Sequence, residues 1–388
     1  MELATTLKGQ TIQNQIREVG INSNYWYPVA WADQLKPGQA LPIMVWQQSI
    51  VVYRDAAGQV HALENACPHK GIELHRGEVK GDRLVCPYHG WEFDPAGDCV
   101  HIPYFPPEQK LPCAQARSYL ADERYGIVWV FPGDSDLAPL RPIPDVPEYA
   151  DPDCVMIPIT GLFKSHFSIS NENTMDVFHG FLHKNLQGWF DPVLLNLQQD
   201  DSSVQAAYRV SYRGALTQFL GLSTGKDGVT TRTVSIHYQY PHYHSTMEGV
   251  SSLYLMRLPV GPQETRSFSL LFLPKLKLPR QVKAAIKPLL VPLVRRFLFL
   301  PFLEQDVEMM ESEQRTFQQN PKRRYVEVNP AILALQRVIV RQYEQFVQQS
   351  SQSVPAKFDA GGADSAQSSG DAALLPGVDS SELHEMQP

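Results

Sequence analysis

"CPHKGIELHRGEVKGDRLVCPYHGW", residues 67–91, decides the fold class of this chain. Two short loops in it each carry one cysteine and one histidine: Cys67 with His69, and Cys86 with His89. Thiolate and imidazole are both good ligands for transition metals, so two such loops facing each other make one four-ligand site. Strand-like runs flank both loops, which places the four side chains on turns of a small β domain.

The mixture of donors within each loop separates two kinds of metal site. Zinc sites usually pair cysteine with cysteine and histidine with histidine in each knuckle. One of each per loop fits a [2Fe-2S] cluster in which two thiolates hold one iron and two imidazoles hold the other, the Rieske arrangement. Zinc, or buried cysteines beside unrelated surface histidines, are the alternatives. We expect Cys99, Cys113 and Cys154 to be structural, as small buried side chains.

The spacing C-x-H-x16-C-x2-H, with "CPH" and "CPYHGW" in full, resembles that of Rieske domains. Rieske proteins of respiratory and photosynthetic cytochrome complexes carry two further cysteines that form a disulfide between the loops. The matching positions here are Ile72 and Tyr88, so that disulfide cannot form. The resemblance is therefore to the ferredoxin and oxygenase type.

Composition excludes several other classes. The chain has 388 residues with 43% hydrophobic content, enough for two domains with separate cores. Its net charge of -7 argues against nucleic acid as a partner. The opening "MELATTLKGQTIQNQIREVG" lacks the pattern of a secretory signal, and no run reaches 18 apolar residues. We expect a cytoplasmic protein, with peripheral membrane contact as an open alternative.

The chain divides by composition into five parts. We predict an N-terminal segment at 1–24, an all-β domain at 25–132, a proline-rich linker at 133–153, an α+β domain at 154–349 and a disordered tail at 350–388. In the α+β domain we predict a helix at 168–183 and further helix at 281–318, broken by Pro288, Pro292 and Pro301. Between them, an antiparallel sheet is predicted from strands at 204–213, 231–241, 249–260 and 265–273.

A second metal site is indicated by "NENTMDVFHGFLHK", residues 171–184. His179 and His183 are four apart, which on a helix puts both imidazoles on one face, and Asp176 precedes them by one turn. Asp306, in "LEQDVEMMESEQ", can complete a facial triad of two histidines and one carboxylate, the ligand set of non-heme Fe(II) oxygenases. A chance histidine pair and a helix N-terminal acid are the alternatives. Competing carboxylates are those of Glu308 and Glu311.

Residues 25–345 resemble the oxygenase α subunit of the Rieske non-heme iron oxygenases. The family motif D-x-x-H-x(3,4)-H corresponds to Asp176, His179 and His183, and the third iron ligand of the family to Asp306. The resemblance implies a helix-grip catalytic domain after the Rieske domain. It also implies a head-to-tail homotrimer in which the cluster of one subunit faces the iron of the next. Asp176 would link the two metal sites across that interface.

The resemblance further implies an enzyme that uses O2. A separate ferredoxin or flavin reductase would pass electrons from NAD(P)H to the cluster and on to Fe(II), and the substrate would be hydroxylated, demethylated or opened. The branch resembled includes vanillate O-demethylase, pheophorbide a oxygenase and chlorophyllide a oxygenase, so an aromatic or tetrapyrrole-like substrate is expected. The C-x-x-C pair of several plant-type members is missing. A non-catalytic Rieske electron carrier, a demethylase and a desaturase are the alternatives.

Two further segments are unusual. "KPLLVPLVRRFLFLPFL", residues 287–303, could touch a membrane or cover the catalytic sheet, and we favour a buried cover because paired arginines would be costly in a spanning helix. "HYQYPHYH", residues 237–244, places His242 and His244 on one face of a strand, where lining a pocket or surface exposure is favoured over metal binding.

Overall fold

The structure is a computed structural model of the chain. It describes residues 12–106, 108–112, 114–186, 189–213, 229–273, 288–289 and 291–352. The α-helices with both ends in these residues are α1 Ile12–Gln15, α2 Phe167–Met175, α3 Leu300–Gln319 and α4 Pro330–Gln352. Short 3-10 turns lie at Ala32–Gln34, Leu74–Arg76, Ser135–Leu140, Pro147–Tyr149 and Phe178–Phe181, and a π-helical turn at Arg295–Phe299.

The first part of the chain forms two antiparallel sheets. The strands are β1 Tyr27–Trp31, β2 Ala40–Val45, β3 Gln48–Arg54, β4 Val60–Glu64, β5 Glu78–Lys80, β6 Arg83–Val85, β7 Glu92–Phe93, β8 Cys99–His101, β9 Ser118–Arg124 and β10 Ile127–Phe131. Six of them pair in the order β1-β10-β9-β4-β3-β2, and the small sheet has the order β5-β6-β7-β8. All five residues of β10, IVWVF, are buried, so both faces of this strand are covered.

The second part is a seven-stranded antiparallel sheet with helices. Its order is β11-β17-β16-β15-β14-β13-β12. The strands are β11 Val155–Phe163, β12 Trp189–Gln199, β13 Ser203–Arg213, β14 Val229–Gln239, β15 His242–Met247, β16 Ser251–Gly261 and β17 Glu264–Leu273. Burial alternates along β11, as expected for a strand with one covered face. The predicted α+β fold class is confirmed, and the four strands predicted between 204 and 273 are present.

Backbone hydrogen bonds join the two parts. At the tip of the β2–β3 hairpin, the N–H groups of Trp46 and Gln47 donate to the carbonyls of Pro259 and Val260 at the end of β16, over 2.8 and 2.9 Å. Both hairpin residues have positive φ, 44° and 67°, so the turn aims two successive N–H groups outward. The six-stranded sheet is thereby fixed against the seven-stranded sheet.

Helix α2 is held by polar contacts on several sides. Its sequence, FSISNENTM, has little apolar periodicity, yet most of its side chains are buried. Arg17 donates to both carboxylate oxygens of Glu172, over 2.7 and 2.6 Å. Tyr243 donates to the carbonyl of Asn171 over 2.6 Å, and Arg257 to the hydroxyl of Thr174 over 2.6 Å. These partners come from α1's end, β15 and β16, so α2 depends on the tertiary fold rather than on an apolar face.

Several secondary-structure predictions are wrong. The helix predicted at 168–183 ends at Met175, and a 3-10 turn follows after a break. Pro292 and Pro301 do not interrupt the helical run over 291–319. Its π-helical turn has Leu300 N donating to the Arg295 carbonyl, and Pro301, which lacks an N–H, follows in the first turn of α3. Strands β11, β12 and β15 and helix α4 lie outside the predicted elements.

Other predictions fall partly outside the described residues. This applies to 281–287 of the predicted helix and to 353–388 of the predicted tail, while residues 350–352 are the end of α4. The predicted domain boundaries stay predictions.

Replacing Arg17 by alanine should destabilise the protein by about 3–5 kcal/mol, because Glu172 would remain buried without its cation. Urea unfolding followed by fluorescence measures the change. Arg341→Ala is the matched control, since Arg341 pairs with Asp201, which is 82% exposed, and such a pair contributes about 1 kcal/mol or less. Equal losses in both variants would contradict this role of Arg17.

Candidate metal centres

The two Cys-His loops have the same backbone hydrogen bonding. In the first, Cys67 N donates to the carbonyl of Ile72 over 2.8 Å, and Gly71 N to the carbonyl of Cys67 over 2.7 Å. In the second, Cys86 N donates to the carbonyl of Trp91 over 2.8 Å, and Gly90 N to the carbonyl of Cys86 over 3.0 Å. Both glycines have φ near +70°, a conformation that other residues rarely adopt.

Side chains of the two loops meet at the protein surface. Cys67 and Cys86 are each 2% exposed, while the His69 and His89 rings lie 4.6 Å apart, centroid to centroid, nearer the solvent. Trp91 stacks on His69 with ring centroids 4.7 Å apart and planes within 7°. Two buried thiols beneath two outer imidazoles match the donor set of a Rieske cluster.

Burial disfavours the thiolate form of Cys67. Burial raises the pKa of Cys67 to about 11, so at neutral pH only a strong local positive charge would hold its thiolate. Among the described residues, one group of three His, Cys, Asp or Glu side chains has ligand atoms that all lie within 4.8 Å of one another. That group lies outside the two Cys-His loops.

That convergent group is formed by His179, His183 and Asp306, whose ligand atoms lie within 4.8 Å of one another. Asp306 Oδ1 is 3.1 Å from His183 Nε2 and 3.8 Å from His179 Nε2. His183 is fully buried and Asp306 is 6% exposed. The structure brings these three residues together, although 123 positions separate His183 from Asp306.

A break in the helix, rather than one helix face, makes the two histidines converge. Asp176 has extended backbone angles, and its Oδ1 accepts a hydrogen bond from Phe178 N over 2.9 Å, which starts a new turn. A β carbon on Gly180 would lie 1.8 Å from Nε1 of Trp189, so only glycine fits beneath that indole. Trp189 in turn donates to the carbonyl of Val177 over 3.0 Å. The turn that carries the histidines is thus held by the Asp176 side chain at its start and by the Trp189 indole packed against it.

Gln305 fixes the orientation of the His183 ring. Its Oε1 lies 2.9 Å from His183 Nδ1, and as an acceptor it places the ring proton on that nitrogen. The lone pair of His183 Nε2 then points at Asp306 Oδ1, and two acceptors at 3.1 Å repel each other unless a cation lies between them. Phe302 stacks on the same ring with centroids 3.6 Å apart. This arrangement fits a bound Fe(II).

Asp176 lies on the other side of His179. Its Oδ2 is 3.9 Å from His179 Nδ1, which is buried without a hydrogen-bond partner among the described residues. Asn329 donates to Asp176 Oδ1 over 3.2 Å and, through its own Oδ1, accepts from Ala331 N at the start of α4 over 3.0 Å. Helix α4 therefore sets the position of Asp176.

The competing carboxylates point elsewhere. Glu308 is exposed, and Glu311 accepts a hydrogen bond from Lys164 N over 3.2 Å.

His242 is buried, with Nε2 2.9 Å from the carbonyl of Trp26, and His244 Nε2 is 2.9 Å from the hydroxyl of Ser252. These contacts agree with structural roles for both histidines.

The additional cysteines also agree with structural roles. Cys99 is buried in the core beside the loops, and Cys154 packs partly buried against the main core. Cys113 lies outside the described residues.

Comparisons with known proteins agree with both sites. A model of the Rieske [2Fe-2S] domain matches residues 25–118, and a model of the vanillate O-demethylase oxygenase C-terminal domain matches residues 163–345. The 4beta-methylsterol monooxygenase of Methylococcus capsulatus is 33% identical over 350 residues, 88% of this chain and 94% of the relative. The chain belongs to the Rieske non-heme iron oxygenase family.

Other relatives match at lower coverage or identity. Chlorophyllide a oxygenase of Arabidopsis thaliana is 31% identical over 188 residues, 47% of this chain and 33% of the relative. A crystal structure of dicamba monooxygenase bound to dicamba superposes with a TM-score of 0.69 at 21% identity, covering 86% of this chain and 99% of that one, which supports the fold.

Family membership makes the chain an oxidoreductase of the Rieske oxygenase type, with a [2Fe-2S] cluster and a mononuclear iron as cofactors. The sequence-based assignment to this family is confirmed. Sequence reasoning missed the residues that support the iron site, because single contacts to distant partners leave no spacing pattern. They are Gly180, Trp189, Phe302, Gln305 and Asn329.

Gln305→Leu should weaken metal binding at the downstream site by about 10- to 100-fold, because His183 loses the acceptor that orients it. Titration of the iron-depleted site with Co(II), followed by its visible absorption, measures the affinity while the cluster is still present. Glu304→Gln is the control, one position earlier and exposed to solvent. Unchanged Co(II) affinity in Gln305→Leu would contradict the orienting role.

Proposed function

We propose that one loop pair holds the cluster and the convergent triad holds the iron. The cluster ligands are Cys67, His69, Cys86 and His89, and the iron ligands are His179, His183 and Asp306. The observation that carries this proposal is the convergence of three buried or half-buried donors within 4.8 Å in a chain of this family. When bound, an iron with two histidines and one carboxylate leaves positions open for O2 and substrate.

The proposed reaction is a monooxygenation. A substrate carbon–hydrogen bond, O2, two electrons and two protons give the carbon–hydroxyl product and one water. The electrons come from NAD(P)H through a separate ferredoxin or flavin reductase, the usual partner in this family, and we place the enzyme in the cytoplasm. Demethylation follows the same stoichiometry when the hydroxylated carbon belongs to a methyl group on oxygen or nitrogen, which leaves as formaldehyde.

Residues of this chain give the iron site an apolar side. Phe302 stacks on His183, and the Trp189 ring lies 5.1 Å from His183 and 5.5 Å from His179 between centroids. Aromatic rings packed on both histidines exclude water from that side of the site. They leave the imidazoles few hydrogen-bonding alternatives to the metal.

The proposed substrate is a large, apolar polycyclic molecule of the sterol kind. Support comes from the 4beta-methylsterol monooxygenase, which this chain matches over 94% of that protein's length. A tetrapyrrole is the second candidate, supported by the chlorophyllide a oxygenases, of which the chain covers 33% and 46% in two plant proteins. The longer match favours the sterol class over the tetrapyrrole class expected from the sequence.

We also propose a head-to-tail trimer in which Asp176 connects the two metal sites. Asp176 is 25% exposed, so one side of its carboxylate can accept a hydrogen bond from another subunit. Its other contacts, to Phe178 N and Asn329, hold the carboxylate beside His179. A cluster histidine of the neighbouring subunit would be the donor.

The purified chain should contain three irons for every two acid-labile sulfides and should couple O2 consumption to hydroxylation of a 4-methylsterol when reductase and NADH are added. His179→Ala should keep the cluster's visible spectrum, contain two irons and form no product. A wild-type chain with two irons per two sulfides would instead indicate an electron carrier. Product from chlorophyllide but not from sterols would select the second substrate class.

Asp176→Asn should retain both metals and slow electron transfer from cluster to iron by at least an order of magnitude. The amide oxygen can still accept from Phe178 N, so the local turn should persist while the negative charge is lost. Single-turnover reoxidation of the reduced cluster, with substrate and O2, measures the rate. A wild-type rate with normal iron content would refute the bridging role.

A further inference from the structure

The helical run that leads to the iron site has an uncovered apolar face. Residues 288–289 and 291–294 are helical and continue into the turn at Arg295–Phe299. Leu289, Leu293 and Phe297 are 75%, 57% and 74% exposed. Their spacing of four residues puts all three on one side of a helix. Exposed large side chains that form one stripe, unlike scattered ones, indicate an interaction surface.

The opposite side of this run is used by the fold itself. Val291, Val294, Phe299 and Leu303 pack, partly buried, against a small core formed by the buried residues Ile157, Ile159 and Leu271. The run is therefore fixed to β11 and β17 through one face. The outer stripe, by contrast, is exposed in the part of the chain that the structure describes.

Charge identifies the kind of partner. Arg295 and Arg296 are exposed beside the stripe, and residues 288–303 contain no acidic residue. In the sequence, the preceding residues 274–287 add five basic residues and again no acidic one. The segment 274–303 thus carries a formal charge of +7 in a chain of net charge -7, so the remaining residues sum to -14. In the sequence, positive charge is therefore concentrated in the segment that carries the stripe.

We propose that residues 288–297 dock into the interfacial region of an anionic phospholipid bilayer. Exposed leucine and phenylalanine side chains flanked by arginines have the composition of helices that lie in a membrane interface. Polyanions such as nucleic acids would pair with the arginines but leave the stripe uncovered. No helix among the described residues is long and apolar enough to span a bilayer, so the contact is a peripheral one.

The stripe lies close to the proposed iron site along the same helical run. Phe297 and the proposed iron ligand Asp306 are nine residues apart on one helical run, about 14 Å along its axis. A polycyclic apolar substrate partitions into the bilayer, and docking at this helix brings the metal centre close to that supply. This last step rests on the proposed function, whereas the lipid contact stands on exposure and charge.

Co-sedimentation of the full chain with vesicles tests the proposal, with neither substrate nor reductase present. The chain should bind vesicles of phosphatidylcholine with phosphatidylglycerol and bind phosphatidylcholine alone much more weakly. Arg295→Gln with Arg296→Gln should reduce partitioning roughly 25-fold, or about 5-fold per arginine. Leu293→Ser with Phe297→Ser should abolish it. All four side chains are exposed, so the variants should keep the cluster spectrum and thermal stability of the parent.

Leu140→Ser is the matched control, because Leu140 is 77% exposed on the turn at Ser135–Leu140, far in sequence from the basic segment. It should bind vesicles like the parent. Absence of binding to anionic vesicles, retained binding in the double variants, or an equal loss in Leu140→Ser would each overturn the proposal. The proposal would also be overturned if the parent did not bind lipid but self-associated, and if Leu293→Ser abolished that self-association. Vesicle binding without sterol turnover would leave the docking surface standing and refute the substrate assignment alone.

Discussion

The catalytic part depends on one short turn, which starts where α2 ends. Asp176 accepts a hydrogen bond from Phe178 N, and that bond replaces the next turn of helix. Gly180 then lets Trp189 lie directly against the backbone. The turn directs His179 and His183 towards a carboxylate on α3, so two imidazoles and Asp306 share one small volume.

Spacing in the sequence indicates the two Cys-His loops more directly than it indicates the proposed iron site. Each loop is local: its two ligands and its glycine lie within five positions, so order and spacing survive in the primary structure. The proposed iron site joins residues 123 positions apart, and its supporting contacts, such as Gln305 on His183, are single hydrogen bonds without periodicity. The helix predicted at 168–183 is too long because side-chain capping, not proline or glycine, ends α2. Strand β12 was missed since it contains Pro192 and is largely exposed.

Burial of residues 287–303 was predicted only in part. Both sides of this run are apolar, so hydrophobic periodicity cannot indicate which side is covered. One side packs on Ile157 and Ile159, in agreement with the expected cover of the sheet. The other side, with Leu289 and Phe297, is exposed, and paired arginines at the surface carry none of the cost that they would have inside a bilayer.

The ion pair between Arg17 and Glu172 joins the start of the described chain to the catalytic part. Residues 12–24 precede the cluster domain in sequence, yet Asn22 and Asn24 bond to Gln342 and Gln349 on the last described helix. Residues that precede the Cys-His loops in sequence therefore pack against the last described helix, on the far side of those loops along the chain. A fragment beginning at residue 154 would lack a piece of its own interior, so the two parts cannot be separated by a single cut.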